Sequence, residues 1–289
     1  MFLERERSMR QSNSVSQVAK AEAFRRLHAG KEAFVVPNPW DLGTARLLEK
    51  LGFNALATTS LGLACSHGLQ DNLVPQNIVL QHLAEIAKGT QLPVTADLGN
   101  GFGDSPETVS RTIVLAAAAG VVGGSIEDST GRDEEPIYPV DFAAERIHAA
   151  AVTARDLSFP FTLTARAENY MVGRINLADT IRRLQAYQEA GADVLYAPGL
   201  RSSEEIGEVV RSLNRPVNVL IGLEGATLSV KDLDALGVRR ISVGGSLAKA
   251  AMGEFLRAAT ELRDHGTTTY QMRAVTSEQI KDFFGKEDP

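Results

Sequence analysis

The fold is decided by one stretch, PETVSRTIVLAAAAGVVGGSIE, which runs from Pro106 to Glu127. Its first part, Pro106 to Ala119, has the pattern of a helix, and Gly120 follows with the residue type that most easily adopts the left-handed conformation of a helix end. Its second part is a short, largely apolar run that ends on an acid. Such runs are typical of strands covered on both faces. The stretch therefore predicts a helix that leads into a buried parallel strand.

The same unit occurs eight times along the chain. The predicted strands are 34–36, 55–60, 93–97, 121–127, 161–166, 192–197, 217–221 and 240–244, and the helices are 43–50, 75–88, 106–119, 141–155, 178–190, 203–212, 230–236 and 247–263. Because each return path is a helix, the strands pair in parallel, and eight units close as a (β/α)8 or TIM barrel. An open doubly wound sheet would normally carry Gly-x-Gly-x-x-Gly after its first strand, where this chain has Pro37-Asn-Pro-Trp-Asp41.

The ends of the chain lie outside this repeat. The first fifteen residues are polar and are predicted to be a mobile tail. An extra helix, Ser16 to Ala29, precedes the barrel, and C-terminal helices follow it. No low-complexity linker interrupts the chain, so residues 16–289 are predicted to form a single barrel domain.

The composition narrows the possible partners and compartment. A net charge of −6 argues against a nucleic-acid-binding face, which requires a basic patch. The single cysteine, Cys65, excludes an internal disulfide and a multi-cysteine zinc site. No apolar run approaches the ~20 residues that span a bilayer, and no apolar signal core follows Met1. We expect a cytoplasmic protein without a membrane or nucleic-acid partner.

Polar residues at the strand ends are the candidates for chemistry, because active sites of such barrels lie at the carboxyl ends of the strands. They are Asn38, Trp40, Asp41, Thr59, Ser60, Asp97, Glu127, Asp128, Arg166, Glu168, Asn169, Glu224 and Ser246. Clustered carboxylates repel one another unless a divalent cation lies between them, and oxygen ligands favour Mg²⁺ or Mn²⁺ over zinc. Alternatively, Asp97 and Glu127 pair with Arg166 in a structural salt bridge.

Two further features have a functional and a structural interpretation. The fork of Arg166 can grip a carboxylate or phosphonate with two hydrogen bonds, or it can form a salt bridge to Glu168 or Glu127. The turn Thr59-Ser60-Leu61-Gly62 can hold a developing oxyanion with its amides, or it is a turn with local side-chain caps.

Taken in order, these strand ends resemble those of the isocitrate lyase/phosphoenolpyruvate mutase superfamily, over about residues 24–255. The resemblance is closest to the carboxyphosphonoenolpyruvate phosphonomutase-like branch. The matching motifs are Pro37-Asn-Pro-Trp-Asp41, Thr59-Ser-Leu-Gly62 with His67-Gly-Leu-Gln-Asp71, Ala96-Asp-Leu98 with Gly101-Phe-Gly103, Ser125-Ile-Glu-Asp128 and Thr164-Ala-Arg166.

The resemblance implies an Mg²⁺-dependent enzyme that breaks or moves a C–C or P–C bond next to a 2-oxo acid, through an enolate. It implies metal ligands Asp97, Glu127 and Asp71. The catalytic candidates are then Arg166, Glu127 and Ser60, and the predicted substrate-binding residues are Trp40, Thr59, Ser60, Leu61, Asp97, Arg166 and Asn169. It also implies a homodimer or homotetramer that exchanges its last helix, residues 247–263 together with the tail to Pro289.

Departures from the superfamily's pattern limit the activity. Gly99 stands where the superfamily usually has a second acid. The loop from Ser129 to Tyr138 lacks the Lys-Lys-Cys-Gly-His of isocitrate and methylisocitrate lyases and the lysine and asparagine of phosphonomutases; Arg132 is its only cation. We therefore favour a lyase, hydrolase or decarboxylase for a small 2-oxo dicarboxylate or substituted malate. The alternatives are a phosphonomutase-like or phosphonopyruvate-hydrolase-like activity and a non-catalytic 2-oxo-acid-binding protein. A Schiff-base aldolase ranks last, since no strand ends on lysine.

Overall fold

Eight parallel strands form a nearly closed barrel in the computed structural model, which describes residues 15–225 and 227–285. The neighbour order is β1-β8-β7-β6-β5-β4-β3-β2, and the Ala57 N–H donates to the Pro37 carbonyl at 3.1 Å between the first and second strands. The (β/α)8 prediction is confirmed. The predicted mobile tail lies, up to residue 14, outside the described residues. The strands are β1 (Phe34–Val36), β2 (Leu56–Ala57), β3 (Val94–Asp97), β4 (Gly123–Glu127), β5 (Thr162–Arg166), β6 (Val194–Tyr196), β7 (Val217–Leu220) and β8 (Arg240–Ser242).

Helices surround this barrel and extend beyond it at both ends. They are α1 (Gln17–Ala29), α2 (Leu42–Lys50), α3 (Ser60–Ser66), α4 (Gln76–Gly89), α5 (Pro106–Ala118), α6 (Val140–Arg155), α7 (Leu177–Ala190), α8 (Ser203–Arg211), α9 (Val230–Ala235), α10 (Ser246–His265) and α11 (Ser277–Phe284), with a 3-10 turn at Thr269–Arg273. Side-chain caps begin several of them; Ser105, for example, accepts the Thr108 N–H directly before Pro106. No helix in the described part of the chain is long and apolar enough to cross a membrane.

The second strand is shorter than its pattern predicts. We expected it to run from 55 to 60, but β2 ends at Ala57 because Thr59 caps a new helix, α3. The Thr59 hydroxyl accepts the Gly62 N–H at 3.3 Å, and a Cβ on Gly62 would lie 2.7 Å from both the Thr59 and the Trp40 side chains. A glycine is therefore needed for this tight turn, which places Ser60 and Leu61 in the first turn of a helix at the barrel mouth.

An aromatic cluster lies at the opposite, N-terminal end of the barrel. His28 of α1 packs edge-on against Phe24 and Phe34, with ring centroids 4.6 and 5.0 Å away. Its Nδ1 lies 2.9 Å from the Phe24 carbonyl, which can only accept, so Nδ1 carries the proton. Burial, with nearby Arg240, lowers the pKa of His28 from 6.5 to about 3. The folded protein thus keeps His28 neutral at pH values where the unfolded chain protonates it.

We expect the His28→Phe variant to be less sensitive to acid than the wild type. Between pH 6.5 and about 3 the unfolded chain binds one more proton at this residue, so the wild type loses stability as the pH falls. From pH 7 to 5 this loss amounts to ~2 kcal/mol. Urea denaturation at pH 7 and pH 5 measures it, with exposed His148→Phe as the control. An equal loss in His28→Phe and the wild type would contradict the assignment.

Candidate active site

One arginine joins three carboxylates at the barrel mouth. Arg166, at the end of β5, donates from Nη1 to Asp97 at 2.9 Å, from Nη2 to Glu127 at 3.0 Å and from Nε to Glu168 at 2.8 Å. The strand register explains the meeting, because Glu127 of β4 pairs directly with Arg166 and Asp97 of β3 lies on the next strand. The structure therefore brings together the strand-end residues that the sequence singled out, and the ion pairs considered as an alternative are formed.

The charges of this cluster do not cancel. Three carboxylates surround one guanidinium, and the Glu127 and Glu168 side chains are only 8% and 7% exposed. Burial raises the pKa of Glu127, and it raises that of Glu168 to about 8 although Arg166 opposes the rise. The three acids in turn raise the pKa of Arg166 well above its usual value against the effect of burial. The surplus negative charge favours binding of a proton or a further cation.

The backbone around Asp97 holds its carboxylate in place. Oδ2 accepts the Ser60 N–H at 3.2 Å, and Oδ1 accepts the Gly99 N–H at 3.4 Å. The amide of Ser60 thus orients an acid in this structure, and the predicted role of the Thr59–Leu61 turn toward an oxyanion stays a prediction. The Thr58 hydroxyl accepts the backbone N–H of Asp97 at 3.0 Å, so β2 and β3 position this residue together.

Two cavities meet at Asp97. The mouth cavity, of about 220 Å³, lies over the barrel interior and is lined by predicted site residues: Thr59, Ser60, Leu61, Asp71, Asp97 and Arg166. A side cavity of about 250 Å³ shares Thr59, Ser60 and Asp97 and adds Glu127 and apolar side chains such as Leu63, Val79 and Phe102. Charged and apolar walls therefore lie on either side of one carboxylate.

Gly99 opens the side cavity. Its φ of +53° lies in the left-handed region, and an ideal Cβ there would have no neighbour closer than Asn72 Oδ1 at 3.9 Å. The missing second acid thus leaves open space beside Asp97. Asp71 is exposed and lines the mouth cavity, with its Oδ1 accepting the Asn72 N–H at 2.9 Å. Within residues 15–225 and 227–285, no three His, Cys, Asp or Glu side chains are grouped closely enough to hold a metal ion by themselves.

Two predicted substrate-binding residues lie away from these cavities. The backbone carbonyl of Trp40 accepts a hydrogen bond from His82 Nε2 at 2.9 Å. The Trp40 residue lines neither cavity. Asn169 is fully buried; its amide donates to the Arg174 and Asn176 carbonyls and to the Thr180 hydroxyl, which shapes the loop after β5. Their predicted contacts with substrate stay predictions.

Comparison with known proteins identifies the family of this chain. The family model for phosphoenolpyruvate phosphomutase matches residues 24–263. The chain belongs to this family. A Burkholderia cenocepacia structure, provisionally called a lyase/mutase, is 57% identical with a TM-score of 0.92 over 94% of this chain and 98% of that one. The probable 2-methylisocitrate lyase 1 of Corynebacterium glutamicum is 28% identical over 89% of this chain and 86% of its own. Oxaloacetate acetylhydrolase, solved with its product oxalate, is 26% identical with a TM-score of 0.83 over 93% and 95%.

A buried arginine that the sequence reasoning missed braces the mouth of this family member. Arg146 of α6 is 1% exposed and donates to the carbonyls of Asn100, Gly103, Asp104 and Glu127. Its guanidinium lies 4.3 Å from the centroid of the Tyr138 ring. It therefore ties the loop after β3 to the end of β4. The sequence contains one indication of this role. Arg146 lies next to Ile147 on the apolar face of a helix, where a buried arginine requires hydrogen-bond partners.

The loop after β4 is bound to Asp104, whose backbone carbonyl also accepts a hydrogen bond from Arg146. Tyr138 donates to Asp104 Oδ1 at 2.5 Å, and Arg132 donates to Asp104 Oδ2 at 2.8 Å. An antiparallel bridge between Ser129 and Ile137 closes the loop on itself. The Ser129 hydroxyl donates to Glu127 Oε1 at 2.6 Å. Through these contacts Arg132 and Tyr138 hold the loop beside the side cavity, whose lining includes Ser129, Thr130 and Gly131.

A second buried pair fixes the loop after β5. Asp128 is 2% exposed and accepts Arg183 at 2.9 Å, the Tyr187 hydroxyl at 2.6 Å and the Glu168 N–H at 2.8 Å. Asp128 was among the strand-end candidates, but its carboxylate is fully used by α7 and by Glu168. It therefore orients Glu168, one of the three acids on Arg166.

We expect Arg146→Met to destabilise the protein by about 3 kcal/mol or more, because one buried and three partly buried carbonyls lose a charged donor. Chemical denaturation measures the change. Arg111→Met, at an exposed position on the neighbouring α5, is the matched control and should change stability by less than ~0.5 kcal/mol. Equal stabilities of the two variants would show that Arg146 does not brace the mouth.

Proposed function

We propose that this chain is a divalent-cation-dependent lyase that cleaves a C–C bond of a small 2-oxo or 2-hydroxy acid through an enolate. The observation that carries the proposal is the surplus of carboxylates around Arg166, which lines the mouth cavity together with Asp97. The relatives support the class of reaction, since they include a 2-methylisocitrate lyase and an enzyme that acts on oxaloacetate and forms oxalate. Each of these names describes an acid with a carbonyl or hydroxyl next to the reacting carbon.

The donor set is compatible with Mg²⁺, or with Mn²⁺. Mg²⁺ keeps several waters and is commonly held by one or two carboxylates together with substrate oxygens. Asp97 lies on both cavities and Glu127 beside it, so these two would hold the ion, with Asp71 reaching it through water. The lack of a three-residue cluster does not conflict with this mode. When bound, the ion would supply a Lewis acid for the negative charge of an enolate oxygen.

The side chains of the mouth have separate tasks in this proposal. Arg166 holds the carboxylates of Asp97 and Glu127 in position through its ion pairs. Its guanidinium in turn stacks on Tyr196, with 5.2 Å between the guanidinium carbon and the ring centroid. Ser60, which lies on both cavities, presents its hydroxyl to the substrate and its amide to Asp97. The loop from Ser129 to Tyr138 excludes water from the side cavity, where an apolar substituent of the substrate would lie.

A non-catalytic 2-oxo-acid-binding protein is the second candidate. Gly99 favours it, because a weaker metal site would retain binding of an acid but lose the Lewis acid that stabilises an enolate. Phosphonomutase-like or hydrolase-like activity needs the same mouth and is tested by the same panel of substrates.

We expect Asp97→Asn to reduce kcat/KM by ~100-fold or more, because the cation loses its principal ligand. The assay is release of a 2-oxo acid with Mg²⁺ from a panel of 2-oxo dicarboxylates, substituted malates and phosphonopyruvate. Asp156→Asn, at an exposed helix end, is the control for charge removal and should retain full activity. Circular dichroism checks that both variants fold.

Three outcomes of this panel are distinct. Turnover by the wild type that is lost with a chelator and restored by Mg²⁺ supports the lyase. Turnover that survives in Asp97→Asn contradicts the assigned ligand. Calorimetric binding without turnover of any member of the panel supports the non-catalytic alternative.

We also propose that a second copy of the chain covers helix α10. Only Ala248 of its twenty residues is buried, whereas Phe255 and Leu256 are 72% and 60% exposed. Together with Met252 and Leu262 they form one apolar stripe, and such stripes mark interaction surfaces. The resemblance to helix-exchanging enzymes favours a homodimer or homotetramer as the assembly.

We expect Phe255→Asp to shift the protein toward the monomer, because a charge would lie in the apolar contact. Light scattering after size-exclusion chromatography measures the mass. Val114→Asp, at an exposed apolar position on α5, is the control and should keep the wild-type mass. A monomeric wild type would refute the proposal.

A further inference from the structure

The barrel interior below the mouth is polar. In a strand, residues two apart point to the same side, so the residues below Asp97, Glu127 and Arg166 are Thr95, Ser125 and Thr164. Barrel interiors are usually filled by branched apolar side chains. Here, the deep layer instead carries hydroxyl, amide and guanidinium groups, which belong to Thr95, Ser125, Thr164, Asn218 and Arg240.

Arg240 is the charged member of this layer, and its hydrogen bonding is incomplete. The residue is 4% exposed, its Nε donates to Asn218 Oδ1 at 2.9 Å and its Nη2 donates to the Thr164 hydroxyl at 3.0 Å. Nη1 is buried without a hydrogen-bond partner among the described residues. Both partners of Arg240 are neutral, and no carboxylate in the described chain lies in salt-bridge range of it. Hydrogen bonds thus fix two nitrogens of the guanidinium, Nε and Nη2. The third nitrogen, Nη1, carries part of the positive charge without a partner.

The surroundings of the two interior arginines are opposite. Arg166 is saturated by three carboxylates, so an approaching anion meets surplus negative charge there. Arg240 lines the same mouth cavity from below without any acid. An unpaired buried cation is costly, and an anion that reaches it is bound strongly. The lining of the cavity also includes the exposed Lys249, but its acids, Asp71 and Asp97, lie at the upper end, whereas the lower end has the buried cation of Arg240, which is suited to an anion.

We propose that Arg240 is an anion-binding residue at the bottom of the mouth cavity and that it receives the distal carboxylate of a dicarboxylic substrate. The proposal rests on the proposed function for the orientation of that substrate, with its reacting end beside Asp97. The lower layer lies ~6–7 Å beneath the strand-end residues, at about 3.3 Å per residue. A carboxylate pair separated by about two or three carbon atoms spans such a distance, at ~1.5 Å per bond. The substrate class is then a dicarboxylate of succinate to glutarate length, substituted by an oxo or hydroxyl group.

Binding without metal or turnover tests this proposal independently of the lyase reaction. Calorimetry in the presence of a chelator compares pentanoate with pentanamide, which has the same carbon chain and a neutral end group. We expect the wild type to bind pentanoate at least ~10-fold more tightly, which corresponds to about 1.4 kcal/mol. Arg240→Gln should abolish this preference, whereas Arg239→Gln, at the neighbouring residue outside the cavity lining, should retain it.

Several results would overturn the proposal. They are the absence of a preference in the wild type, a preference that survives in Arg240→Gln, and equal binding of chloride or phosphate, which would mean a site for inorganic anions. If Arg240→Gln does not fold, a crystal structure of the wild type with glutarate decides. A carboxylate oxygen within ~3 Å of Nη1 supports the proposal, and a glutarate bound elsewhere refutes it. Failure of the lyase assay leaves these results unaffected, so the two proposals fail separately.

Discussion

The site depends on one constraint, the need of three neighbouring carboxylates for a shared cation. Asp97, Glu127 and Glu168 come from adjacent strands or the loop after them, and Arg166 donates to each of the carboxylates that the strand register brings together. The planar guanidinium fixes where each donor points, so it also fixes the orientation of the acids around the cavity. One guanidinium cannot neutralise three acids. The remaining charge is what makes this mouth suitable for a divalent ion.

Buried arginines from the outer helices hold the loops around that cluster. Arg146 of α6 binds only carbonyls, whereas Arg183 of α7 binds the carboxylates of Asp128 and Asp179. Both side chains reach from the helix layer toward the strand ends, so helix packing and loop position are coupled. Loops at the carboxyl ends of barrel strands are commonly the variable part of such enzymes. Here they are tied to the scaffold by charged groups that are expensive to leave unpaired.

The barrel and its strand-end residues could be predicted from the sequence. The repeated strand–helix pattern and the residues that end helices are local signals, and the position of active sites at the carboxyl ends of barrel strands is a general rule. The sequence predicted the meeting of Asp97, Glu127 and Arg166, but it could not decide between a salt bridge and a metal site, since both use the same residues. It missed α3, where Thr59 caps a helix inside a run of strand-like residues. It also missed Arg146 and Arg240, whose partners are separated from them by tens of residues along the chain. Such contacts depend on the assembled barrel.

Gly99 lines the side cavity beside Asp97, and it also bears on the affinity of the site for a metal ion. Its φ of +53° disfavours most side chains, yet aspartate and asparagine tolerate this region better than other residues do. An ideal Cβ there would not collide with any neighbour, since the nearest atom is 3.9 Å away. The backbone and the packing would therefore accept an aspartate at this position. The glycine is better explained by the space it leaves, because a side chain would extend into the side cavity beside Asp97. In the proposed reaction, a substrate with an apolar substituent would occupy that space, and the cation would depend more heavily on Asp97, Glu127 and the oxygens of the substrate itself.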